Sequence, residues 1–172
     1  MARVGLVLGA ALVSLGYVKC TFLGTADTGT GNNSDFSTTL TLRDSAGADT
    51  TSFRMGQAIQ FNLQILNQGA QTDTLSFPDA QIYDVYVLDA NSSTVRWQWS
   101  ADKTFTAGTT SLSFAANTSK SYNVLWNGVL ADGTQLPAGS YRARGVFVAD
   151  DFTGDPLMTS DLGSNIVSFT VQ

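Results

Sequence analysis

The sequence predicts an all-β fold, an immunoglobulin-like antiparallel β-sandwich, from three observations. Residue usage favours strands: Glu is absent and Lys is scarce, while Thr, Val, Phe and Tyr, which suit a pleated half-buried surface, are abundant. "AIQFNLQILN" sets Ile59, Phe61, Leu63 and Ile65 against Gln60, Asn62 and Gln64, the period of two that a half-buried strand requires. On a helix the same apolar residues would scatter around the axis. Turn chemistry recurs at short spacing, because "NQGAQ", "DANSS", "ADGTQLPAG" and "FTGDP" place Gly, Asn, Asp and Pro where a chain reverses. Eight or nine short strands so spaced suggest a sandwich, and no repeat of propeller or solenoid length is visible.

Taken in order, "MARVGLVLGAALVSLGYVKC" begins with Arg3 and continues as an apolar run from Val4 to Val18, the pattern of a secretory leader. That run is short for a spanning helix. Residues 1–26 are therefore read as a signal peptide or lipoprotein signal. One ending is a cut before Asp27, with small residues in Gly24-Thr25-Ala26; the other is lipidation of Cys20, although Tyr17 and Lys19 depart from a lipobox. Either places the domain outside the cytoplasm: periplasmic, envelope-anchored or extracellular. Residues 27–35, rich in Gly, Thr, Asn and Asp, read as a flexible linker, and 36–172 as the sandwich domain. Besides the stretch at 58–67, strands are expected at 36–43, 73–77, 81–88, 94–100, 111–115, 120–126, 140–149 and 165–171.

Composition removes whole classes of chemistry. The chain has no His and one Cys, which excludes Ser-His-Asp and Cys-His catalysis, His- or Cys-ligated zinc and an intrachain disulfide. The formal net charge is −5, and no basic stripe for a nucleic acid is visible. All 14 acids are Asp. Glycoside chemistry needs a pair of carboxylates in a cleft, and no pair announces itself. Asp150, Asp151, Asp155 and Asp161 cluster in "DDFTGDPLMTSD" without the spacing of a calcium loop, so they read as a solvated acidic loop. No catalytic residue, metal site or cofactor is expected.

The middle of the domain carries an ordered set of motifs from "DTLSFPDAQIYDVYVLDANSSTVRWQWSADKTFT" to "KSYNVLWNGVLADGTQLPAGSYRARGVF". It includes Leu75 and Phe77; Gln81, Tyr83 and Asp84; Trp99-Ser100 with Asp102 and Phe105; Tyr122 with Trp126; and Leu136-Pro137 with Gly139 and Tyr141. Together they resemble the BsuPI family, the intracellular proteinase inhibitor type of bacteria. The chain departs from that pattern at Asn91-Ser92-Ser93 and at "AANTSK". The resemblance implies the fold, a non-catalytic inhibitor and a serine protease as protein partner. It carries no reactive-site residue across by position, and the export leader stands against a cytoplasmic setting. The alternative is a structural or protein-interaction module of the bacterial cell envelope without inhibitory activity.

Alternation puts Val95, Trp97 and Trp99 on one strand face and Arg96, Gln98 and Ser100 on the other. Tyr83, Trp97, Trp99, Tyr122, Trp126 and Tyr141 are read as the core signature, with one Trp near a rim as the competing expectation. Three segments could present a partner-binding loop: 100–110 with Asp102, Lys103 and Phe105, 127–137 with Leu130, and 150–161 with Met158. Phe105 is expected either to fold back under its loop or to stand out as an anchor. Asp84, in the apolar strand "IYDVYVL", is expected at the rim or buried, and if buried to need several hydrogen bonds or an Arg such as Arg96 or Arg142.

Overall fold

The computed structural model describes residues 35–150, 152–157 and 162–172. The leader with Cys20, the linker to residue 34, Asp151, Met158 and Asp161 lie outside the described residues.

Alternation builds the first sheet. In β1 (Phe36–Arg43) and β3 (Ile59–Asn67) alternate side chains are buried, with Leu40 and Leu42 facing the same interior as Phe61, Leu63 and Ile65. The strands pair antiparallel from Phe36 opposite Asn67 to Arg43 opposite Gln60. Along the other side of β3 runs β8 (Ser119–Trp126), again antiparallel, with Val124 and Trp126 buried inward. The outward face is polar, and Asn62 Nδ2 donates to Asn123 Oδ1 at 2.8 Å.

The opposing sheet has the order β2 (Ser52–Phe53), β10 (Val167–Val171), β9 (Gly139–Phe147), β5 (Tyr83–Asp89), β6 (Val95–Gln98). Its ladders are antiparallel except between β2 and β10. Two residues of β2 carry no period to read, so this strand escapes a sequence reading. Central β5 and β9 are buried on both faces over most of their length; on the side away from the first sheet, residues after β9 border Asp84 and Tyr86, and Gly163 lies against Arg144. Val148 N donates to Ile82 O, and Ser164 N to Gly145 O.

A two-stranded ribbon of β4 (Asp73–Asp79) and β7 (Ala107–Phe114) completes the fold. Its register slips between Phe77 and Asp79, at Pro78, which has no N–H for the ladder. Across the slip Gly108 holds φ at 121°, a conformation open to glycine. Phe114 meets Phe36 edge-on at 5.2 Å, and buried Asn67 donates its side-chain amide to Phe114 O at 3.0 Å, which ties the ribbon to β3. The turn into β8, within "AANTSK", has Asn117 at φ 55°, a left-handed position that Asn tolerates.

The sheets meet through aromatic rings. Trp97 stacks on Trp126 at 4.7 Å and lies 5.8 Å from Phe61. Tyr83 stacks on Trp99 at 4.5 Å and reaches Tyr122 at 4.8 Å, which meets Phe147 at 5.5 Å. Tyr141 lies elsewhere, against Phe169, and its hydroxyl donates to Pro137 O at 2.9 Å, tying down the "LPAGSY" turn.

Between β9 and β3 the sheets approach so closely that a Cβ on Gly145 would collide with Leu63 Cδ1, itself fully buried. Gly145→Ala is expected to cost about 1–3 kcal/mol in urea unfolding, as overpacked cores do; an unchanged midpoint would contradict this packing. Trp97→Ala is expected to cost about 3 kcal/mol, the low end for an aromatic truncation because the ring is only half-buried.

Candidate functional site

The Trp strand departs from simple alternation. Val87 pairs with Trp97 and Leu88 with Val95, so Arg96 is an extra residue, a bulge. Paired residues share a face. Trp97 therefore faces the first sheet with Val87, whereas Val95 falls on the opposite face with Leu88, which corrects the expectation that Val95 accompanies both tryptophans. The bulged Arg96 donates from Nε to Asp89 at 2.7 Å, and Arg142 Nη2 donates to Ser92 O at 2.6 Å, so both arginines fasten the β5–β6 turn.

Neither arginine reaches Asp84. The carboxylate is buried at 1% exposure and is met by neutral donors. Oδ1 accepts from the N–H of Val85 at 2.9 Å and of Ser100 at 3.1 Å. Oδ2 accepts from Ser100 Oγ at 2.5 Å, Gln98 Nε2 at 2.7 Å and Gln81 Nε2 at 3.3 Å. Of the two expectations for a buried Asp, the hydrogen-bonded one holds and the arginine partner does not. Beside it, burial first and the Asp84 charge next push the Tyr86 hydroxyl well above the usual phenol range.

At the open side of the sandwich, edge strands β6 and β8 belong to different sheets and leave a groove of about 870 Å³. Trp97, Trp99 and Trp126 wall it, so all three tryptophans of the chain meet at one place. Two candidate loops converge on it, one bringing Asp102 and Lys103, the other Leu130. Their turns are local: Lys103 N donates to Ser100 O at 2.9 Å, and Leu130 N to Thr134 O at 2.8 Å. Lys103 Nζ lies 5.0 Å above the Trp99 ring and pairs with Asp102, whose carboxyl it holds below the ordinary range. Phe105 folds back half-buried, 6.0 Å from Trp99, and is not an outstanding anchor. Trp97 and Trp99 are both half-buried, so each serves the core and the groove wall together.

Sequence reasoning missed Leu125, 70% exposed on the groove rim. Its signal was present, an apolar residue at an outward position of β8 where Ser121 and Asn123 are polar. The third segment lies apart: Asp150 and Phe152 border a separate cavity over Asp84 and Tyr86. Among the described residues no group of three side chains could hold a metal ion. Arg144, buried under Gly163, is held below its usual pKa by desolvation, which nearby Asp155 opposes.

Comparison with known proteins adds a family. Solved structures of similar shape include a β-glucosidase from Erythrobacter marinus, at 9% identity and TM-score 0.43 over 80% of this chain, and one from Listeria innocua, at 13%, 0.40 and 78%. The chain spans only 15% and 16% of those enzymes. A CARDB domain from Pyrococcus furiosus aligns over 79% of this chain and 93% of its own, at 12% identity and TM-score 0.40. No curated protein matches the chain. Residues 45–152, well over half of the sequence, match the model of the BsuPI family, described as intracellular proteinase inhibitor, and the chain belongs to that family.

Proposed function

We propose that the domain is a non-catalytic module that inhibits a serine protease outside the cytoplasm, and that the groove between β6 and β8 is its contact surface. The observation that carries this is the convergence of two loops, with Asp102, Lys103 and Leu130, on one aromatic-walled groove. A tight inhibitor must offer a segment already rigid, because ordering it on binding would consume affinity. With Cys20 as the only cysteine, that rigidity has to come from strands and packing. Both loops spring directly from strand ends and close on turns of their own. The leader supports an extracytoplasmic setting, periplasmic, envelope-anchored through Cys20 or extracellular.

The second reading, an envelope interaction module without inhibitory action, is favoured by one fact: each tryptophan already has an aromatic partner. Their presence is then accounted for by stability.

Titrating the purified chain against a panel of serine proteases, subtilisin-like ones included, separates the two. Dose-dependent, stoichiometric inhibition is expected, weakened about tenfold or more by Leu130→Asp. Slow digestion of the chain without inhibition would favour the interaction module.

A further inference from the structure

We propose that Asp84 is a positioning residue for the loop tip Ala101–Thr104, holding it in one pose before a partner arrives. The proposal deepens the inhibitor function above and rests on it. The tip is exposed at all four residues, yet both of its ends are fixed. At the near end Ser100 gives both its N–H and its hydroxyl to the Asp84 carboxylate, and Gln98 Nε2, at the end of β6, adds a third donor. At the far end Ala80 N donates to Thr106 O at 3.1 Å. Above, Lys103 and Phe105 lie against Trp99, whose other neighbour is Tyr83 on the same strand as Asp84.

The chemistry explains why a carboxylate sits there. Five donors converge on two oxygens, and an ionised carboxylate is acceptor-only, so it can serve them all. An asparagine would turn an NH₂ toward donors and leave some of them unmet. Charge-assisted bonds are also the stronger kind, and burial at 1% exposure keeps water from competing for them. In a chain whose lone Cys20 cannot form an intrachain disulfide, this buried acceptor performs the cross-linking that a loop needs.

Hydrogen–deuterium exchange on the full chain, comparing Ser100–Thr106 with the 127–137 turn, tests the tip directly. Asp84→Asn is expected to speed exchange at the tip about tenfold or more while the other turn is unmoved. Ser100→Ala removes one hydroxyl donor and should act in the same direction by less; it serves if Asp84→Asn does not fold. With a protease that the unaltered chain inhibits, either variant should inhibit more weakly and be cut within 100–106, an inhibitor turned substrate. Unchanged tip exchange in folded Ser100→Ala overturns the proposal, and so does an equal rise in both turns. Local loosening with undiminished inhibition overturns the claim that the pose matters. An unaltered chain that inhibits nothing sinks the inhibitor function instead, while local loosening would still support the fixing of the tip by Asp84.

Discussion

The stack of Trp97 on Trp126 joins two sheets at the side where both run out of strands. Elsewhere each sheet is held by backbone ladders and by a close interior, as where Leu63 packs on Gly145. Among the described residues no further strand continues either sheet at β6 and β8, and large flat rings fill the interval that strands leave. Aromatic rings suit this place, for they bury much area and stack with geometric preference. The groove follows from it: Trp126 is buried while Trp97 and Trp99 remain only half-buried, and the loops at the ends of β6 and β8 close around them.

Behind that wall the outer face of β5 is organised by charge. Asp84 would be intolerable alone in a strand of Val, Leu and Tyr, since a desolvated carboxylate costs far more than an apolar side chain gains. It persists because Gln81, Gln98 and Ser100 surround it with donors, one on β6 and one in the turn that follows it. β6 and the turn after it thus point Trp97 and Trp99 into the sandwich and Gln98 and Ser100 at Asp84. Through β6 the packing of the core and the pose of the loop after it are mechanically connected.

Much of the fold was legible because period two is a local property. The boundaries of β1, β3 and β8 follow the alternation of their apolar residues closely. What was not legible depends on partners distant in sequence. β2 exists only as a parallel neighbour of Thr170 and Val171, and β7 begins at Ala107 rather than 111, where Ala107–Thr109 are exposed and leave no apolar period to read. The bulge at Arg96, which turns Val95 away from Trp97, is a feature of pairing with β5. Asp84 could be flagged as anomalous, but three of its five donors come from Gln98 and Ser100, 14 and 16 residues on, and the arginines nominated for it were already committed to the turn at Asp89 and Ser92. Three candidate loops could be named from sequence; that two share one groove is a property of the sandwich alone.

The central claim, that a protease is met at the groove, is tested most directly by hydroxyl-radical footprinting of the chain with and without a protease it inhibits. Four large apolar side chains are exposed among the described residues: Leu125 at the groove, Val95 at the β6 edge between the groove and the cavity over Asp84, and Met55 and Ile166 away from both. Protection of Leu125, with Met55 and Ile166 as reactive as in the free chain, is the predicted result. Protection of Met55 or Ile166 with Leu125 still fully reactive would contradict it.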